Sequence, residues 1–181
     1  MNIVEPEQKE KTIWTIGHST HSLDEFIQML QSSQIELVAD VRRFPGSRKY
    51  PHFNQEALQG SLRENAIEYR HFEALGGRRK ARPNSKNTVW RNASFQGYAD
   101  YMETPAFKDA ISELETVASK RRTAYLCSEA VWWRCHRSMI SDLLKYQGWE
   151  VNHIMGVGKE TEHPYTGPAN IKGKRLTYEA G

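Results

Sequence analysis

Five short apolar runs, each separated from the next by a stretch of helical periodicity, constrain this chain more than any other feature. They are Thr12 to Gly17 (TIWTIG), Ile35 to Val41 (IELVADV), Ile67 to Phe72, Thr123 to Cys127 (TAYLC) and Glu150 to Ile154. Strand-length runs that alternate with helices are the rhythm of βαβ units, in which each crossover returns the chain to the same end of the sheet and the strands run parallel. The expected fold is α/β: three layers, with a mostly parallel sheet of about five strands and helices on both faces. The 181 residues are enough for one such domain with its own core.

The intervening segments carry helix punctuation. Ser22 with Glu25 three residues on makes a capping box, and Leu23, Phe26, Ile27 and Leu30 form the apolar stripe behind it. Asn54 can cap a helix running to about Asn65, and another is expected near Ser94 to Glu103. Thr104-Pro105 signals a further start, with Phe107, Ile111, Leu114 and Ala118 facing inward. The last helix is expected from Arg134 to Gln147, stopping at Gly148. No repeat or internal boundary is visible, so residues 1–181 read as a single domain: a flexible start at 1–11, a core at 12–155, and an irregular arm at 156–181, rich in Gly, Pro, Lys and Thr.

Charge and cysteine content narrow the function classes. The two cysteines, Cys127 and Cys135, make a poor disulfide framework and read as reduced thiols of a cytoplasmic protein. The charged beginning and the lack of any apolar stretch near the roughly 20 residues that span a bilayer signal neither export nor a membrane partner. A net charge of +3 is too mild to imply a nucleic-acid partner by itself. Its distribution says more: Arg78, Arg79, Lys80, Arg82, Lys86 and Arg91 have no acidic residue among them, and Trp90 and Phe95 lie alongside. This stretch is either a solvated loop or a contact for phosphate.

In open parallel sheets ligands bind beyond the carboxyl ends of the strands. Those ends deliver Gly17-His18-Ser19, Asp40 and Arg42, Gly76-Gly77, Cys127-Ser128-Glu129 and His153. The densest stretch, Cys127 to Arg137 (CSEAVWWRCHR), leaves a strand and enters a helix. Arg134, His136 and Arg137 would then occupy a first turn, where the helix dipole disfavours each cation by roughly 0.3–1 kcal/mol. An anion pocket explains such placement better than stability does, the alternative being that these arginines pair with nearby Asp or Glu.

These residues resemble a bacterial family catalogued only as domain of unknown function 488. The resemblance rests on T-I-G-H-S at Thr15 to Ser19, D-V-R-x-x-P at Asp40 to Pro45, L-G-G at Leu75 to Gly77, the run Cys127 to Arg137, and H-I-M-G at His153 to Gly156. It implies an α/β domain with these residues in a shared pocket and leaves the reaction open.

Several functions compete. The first is a hydrolase of nucleic acid or a nucleotide, acting on a base or its N-glycosidic bond as in DNA repair. Asp40 and Glu129 would be its carboxylates, assisted by His18. Ser19, Arg42, Arg78, Arg79, Arg134, His136 and Arg137 would hold phosphate, and Trp132, Trp133 and Tyr98 would offer faces on which bases stack. The second is thiol chemistry with Cys127 or Cys135 as nucleophile, although the Cys127 to Arg134 spacing is one residue longer than the C-x5-R loop of cysteine phosphatases. A metal set of Cys127, Cys135, His136 and His18 is possible by ligand type but has no C-x2-C or H-x3-H spacing, so no metal or cofactor is expected. The last is a module that binds nucleic acid or another anion without turnover.

Overall fold

A computed structural model describes residues 11–180. The expected flexible start, 1–11, lies outside them apart from Lys11. Strand β1 (Thr12–Gly17) leads to helix α1 (Leu23–Ser32) and β2 (Leu37–Asp40), then α2 (Gln55–Glu64) and β3 (Glu68–His71). A long connection precedes α3 (Ala93–Tyr101) and α4 (Pro105–Ala118), after which β4 (Thr123–Cys127), α5 (Arg137–Tyr146) and β5 (Glu150–Gly156) follow. Three further strands close the described chain: β6 (Lys159–Glu162), β7 (Asn170–Lys172) and β8 (Arg175–Thr177).

The main sheet has six strands in the order β3-β2-β4-β1-β5-β6. The first five are parallel, and β6 adds an antiparallel edge. Register aligns Gly17 with Cys127 across β1 and β4, and Asp40 with Leu126 across β2 and β4. Three chemistry-bearing ends therefore meet at one edge of the sheet.

Side chains alternate between the two faces along each strand, as the pleat requires. Ile13, Leu37, Ala39, Tyr125 and Val151 meet Tyr98, Phe107, Ile111, Leu114, Ile140 and Leu144 from α3, α4 and α5. Trp14, Ile16, Val38, Ala124 and Leu126 meet Phe26, Leu30, Leu58 and Leu62 from α1 and α2. Both faces of the parallel sheet are thus covered by helices, which makes the fold three-layer α/β.

The helix starts differ in how closely they follow the sequence signals. Ser22 accepts from the Glu25 N–H at 3.1 Å, and Thr104 accepts from the Phe107 N–H at 3.4 Å. Asn54 holds the cap position of α2 but spends its side-chain oxygen on the Ser47 N–H instead. Helix α5 begins at Arg137 rather than Arg134, because a separate 3-10 turn, Trp132–Arg134, comes first.

The arm from Gly156 carries three short strands joined by irregular stretches and is ordered against the domain. A buried carboxylate on α5, Asp142, draws it in. Asp142 accepts from the Thr166 N–H and hydroxyl at 2.9 and 2.6 Å, from the Tyr178 hydroxyl at 2.8 Å, and from His163 Nε2 at 2.8 Å. A Gly- and Pro-rich segment shows no apolar period, so order that comes from a distant carboxylate leaves no local signal.

Replacing Asp142 with alanine strands these four donors in the interior and is expected to cost about 3–5 kcal/mol. Denaturant melts and limited proteolysis check this, the arm beyond Gly156 being cut first; an unchanged midpoint contradicts it.

Candidate functional site

The loops that follow β1, β2 and β4 close around a cleft of about 520 Å³, and the connection after β3 completes its rim. Two glycines let these loops approach so closely. A β-carbon on Gly17 would lie 1.7 Å from the Glu129 carbonyl oxygen, and one on Gly77 would lie 2.9 Å from His136 Nδ1. The His18 N–H donates to the Cys127 carbonyl at 3.0 Å and the Ser19 N–H to that of Ser128 at 2.9 Å, so pairing of β1 with β4 continues into the loops.

Strand β2 contributes a fixed guanidinium. Asp40 Oδ1 accepts from Arg42 Nε at 2.9 Å and from the Arg42 N–H at 3.1 Å; Oδ2 accepts from an Arg42 terminal nitrogen at 2.8 Å and from the Tyr69 hydroxyl at 2.6 Å. The other terminal nitrogen of Arg42 donates to the Phe53 carbonyl at 2.8 Å. Burial first, and then the Asp40 charge, pushes the Tyr69 hydroxyl far up, so it remains a donor. Asp40, expected as a catalytic carboxylate, is thus fully engaged and lies behind Arg42, outside the cleft lining. Its work is to hold Arg42 in one orientation, which a bidentate pair does well.

Strand β1 contributes a neutral imidazole. His18 stacks on Phe53 with ring centroids 4.4 Å apart, and its Nδ1 lies 3.0 Å from the Ser19 carbonyl oxygen. A carbonyl can only accept, so Nδ1 carries the proton and Nε2 keeps its lone pair. Burial, reinforced by Arg42 and His52, lowers the pKa to about 4 against the opposing pull of the Ser19 carbonyl and Asp40. Glu129 lines the same cleft, is exposed, and makes no side-chain hydrogen bond or ion pair among the described residues.

The floor holds both thiols. Cys127 and Cys135 Sγ atoms are 2.7 Å apart, and Cys135 Sγ also lies 3.4 Å from His136 Nδ1 and 3.5 Å from the Arg137 nitrogen. His136 Nε2 donates to the Val41 carbonyl at 2.9 Å, leaving Nδ1 as an acceptor; burial lowers its pKa and keeps the ring neutral. Burial also pushes the Cys127 thiol well up. At Cys135 burial acts the same way but is outweighed by the Cys127 hydrogen bond and by the guanidinium and N–H of Arg137, so this thiol falls below its ordinary value.

The cleft brings together His18, Ser19, Arg42, Arg78, Cys127, Glu129, Arg134 and His136, which are distant in sequence. Other expected residues lie elsewhere. Arg137 is 1% exposed and sits beneath the floor, where it donates to the Glu129 carbonyl at 3.0 Å and to Thr15 Oγ1 at 3.4 Å. It reads as a ligand contact in the sequence and is a structural strut instead, because α5 starts one turn later than expected. Arg79 donates to the Gly76 carbonyl at 3.1 Å and packs over the Tyr101 ring. Trp132 stacks on His153 with centroids 4.7 Å apart and planes 4° apart, and Trp133, 51% exposed, meets Trp132 edge-on outside the cleft.

The basic connection is less uniformly positive in space than in sequence. Arg82 pairs with Glu103 and lies 3.7 Å from Asp100, whose carboxylate also takes Ser85 and Asn87. Cleft residues missed by sequence reasoning are Arg43, Phe44 and Tyr50, whereas Phe95 and Tyr98, read from the sequence as aromatic neighbours of the site, do line it. Arg43 and Phe44 directly follow Arg42 and could have been found from that position alone. Among the described residues no three His, Cys, Asp or Glu side chains form a group able to hold a metal ion, and no helix is long and apolar enough to cross a membrane.

Residues 22–144, well over half of the chain, match the family model described as domain of unknown function DUF488. The chain belongs to the DUF488 family. No curated protein and no solved structure matches it. The DUF488 match takes in the loops after β2 and β4, whereas the Thr15 to Ser19 and His153 to Gly156 motifs fall outside the matched residues.

The His18 imidazole is expected to stay neutral down to about pH 4, observable by NMR titration; a midpoint near 6.5 contradicts the geometry. Because the unfolded state binds the proton first, His18 leaves stability unchanged above pH 6.5 and lowers it as pH falls from 6.5 towards 4. His18→Gln should flatten that part of the stability profile by up to one proton.

Proposed function

We propose that this cleft takes a phosphate-bearing nucleotide, free or within a nucleic-acid strand, and hydrolyses the N-glycosidic bond to its base. The observation that carries the reading is one juxtaposition. A neutral His18 with a free Nε2 and an unpaired Glu129 carboxylate border the same space as Arg42, Arg43, Arg78 and Arg134.

Each part has a chemical counterpart in that reaction. Guanidiniums fit phosphate oxygens, and Arg42, held by Asp40, is oriented before a ligand arrives. Phe44, 62% exposed at the rim, and Phe95 offer faces on which a base can stack. Positive charge develops on the sugar as the base leaves, and the Glu129 carboxylate stabilises it by charge. Water attacks the sugar carbon as the carbon–nitrogen bond breaks. His18 Nε2 orients that water as an acceptor, Glu129 takes its proton, and the proton passes to the departing nitrogen. Asp40, fully occupied, acts only through Arg42.

Glu129→Gln preserves shape and removes the charge, so base release from modified nucleosides, damaged DNA or nucleotides is expected to fall by a factor on the order of 10² or more. Retained release in this variant, or none in the parent across that panel, overturns the hydrolytic reading. Replacing Arg78 and Arg134 together by alanine should weaken binding of a single strand and reduce its salt slope by roughly 1–2, as fits the loss of up to two phosphate contacts. Anisotropy titrations at several salt concentrations check this, and an unchanged slope removes those two residues from the phosphate path.

A further inference from the structure

We infer that Cys127 and Cys135 form a redox-active dithiol that exchanges with low-molecular-weight disulfides carrying carboxylates, Cys135 being the attacking sulfur and Cys127 the resolving one. The thiol step is independent of the nucleotide reading, since it uses the floor of the cleft and neither the Glu129 nor the His18 side chain, and only the entrance guanidiniums are common to both.

The chain contains two cysteines in all, and the fold brings both to one place from different elements. Cys127 ends β4 at the centre of the sheet, while Cys135 stands just before α5. Their sulfurs are neighbours, 2.7 Å apart, and both residues border the cleft.

Their surroundings separate the two sulfurs. Cys135 faces His136 Nδ1 at 3.4 Å, an acceptor because Nε2 is spent on the Val41 carbonyl, and it receives the Arg137 N–H at the start of α5. Cys127 has only Cys135 and, at 3.8 Å, the Glu129 carbonyl. The buried Arg137 guanidinium supplies a further demand. Among the described residues it has no carboxylate partner and its Nε has no hydrogen-bond partner, so an anion forming at Cys135 meets a charge already desolvated.

The step balances as follows. His136 Nδ1 takes the Cys135 proton, the thiolate attacks one sulfur of the incoming disulfide, and the other sulfur leaves as a thiolate that recovers the proton. Cys127 then attacks Cys135 Sγ, its proton passing to the glutathione-type sulfur that leaves. The internal disulfide forms, the second small thiol leaves, and the incoming disulfide has been reduced to two thiols by the two electrons of the pair. Selectivity for carboxylates follows from the guanidiniums of Arg42, Arg43, Arg78 and Arg134 around the entrance.

The test incubates the full chain with glutathione disulfide and follows it by intact-mass and peptide mass spectrometry. The parent is expected to lose two hydrogens, to link Cys127 to Cys135 and to retain no glutathione. Cys127→Ala should trap one glutathione on Cys135, and Cys135→Ala should react at least about tenfold more slowly. A parent that keeps both thiols, or glutathione trapped equally on either single variant, overturns the inference. Should either variant fail to fold, native alkylation of the parent decides: Cys135 labels first if the assignment holds, and labelling of Cys127 first, or of both alike, rejects it. An uncharged disulfide, hydroxyethyl disulfide, should react more slowly than glutathione disulfide at low salt and approach it at high salt; equal rates at both reject the carboxylate preference.

Discussion

The arrangement depends on one of its two buried arginines. Arg137 places a guanidinium beneath the sheet edge, away from water, where an uncompensated charge costs several kcal/mol. Its compensation runs through a chain of hydrogen bonds. Arg137 donates to Thr15 Oγ1, which lies 2.5 Å from His153 Nδ1; His153 Nε2 lies 2.8 Å from His163 Nδ1, and His163 Nε2 lies 2.8 Å from Asp142 Oδ1. The carboxylate at the far end can only accept and the guanidinium can only donate, so the chain joins a fixed donor to a fixed acceptor through a hydroxyl and two imidazoles that can each do both. Burial holds His153 far below its ordinary pKa, which keeps it the neutral relay this pattern needs. One network thereby ties β1, β5, α5 and the C-terminal strands together, while the same guanidinium grips the Glu129 carbonyl and so sets the loop after β4.

The two inner arginines are neutralised in opposite ways, and the contrast defines the cleft. Arg42 has a bidentate partner next door in Asp40, which fixes its plane and leaves it at the wall of the cleft with its orientation already decided. Arg137 has its carboxylate three hydrogen bonds beyond Thr15 and sits under the thiols. Preorganised positive charge therefore exists both beside the ligand space and below the sulfurs before anything binds. Gly17 and Gly77 are the backbone complement of this design, since any side chain there would push the Glu129 loop or His136 away.

Much of the fold was legible because its signals are local. Alternating runs disclosed the five parallel strands, and Ser22, Thr104 and Pro105 marked helix starts where the chain has them. Strand ends then located the cleft, because in a parallel sheet the loops after the strands share one edge whatever their sequence separation. What escaped was decided by partners far along the chain. Strand β6 pairs with β5, β7 and β8 pair with each other, Asp142 on α5 fixes His163, Thr166 and Tyr178 around them, and the charge of Arg82 is met by Asp100 and Glu103. Arg137 illustrates the limit well: its position near a helix start suggested an anion ligand, yet it is buried beneath the cleft while Arg134, in the 3-10 turn before α5, lines it.

The central claim is that the edge formed by β1, β2 and β4 is the binding site for a phosphate-bearing nucleotide. Titration of the isotopically labelled chain with nucleoside monophosphates, followed by NMR shift mapping, tests it most directly. The account predicts saturable shifts confined to His18, Ser19, Arg42, Arg78, Glu129, Arg134 and their neighbours, lost when Arg42 is replaced by glutamine. Shifts centred elsewhere, such as the groove between α4 and the β7–β8 hairpin, or no saturable shift at millimolar ligand, would contradict it.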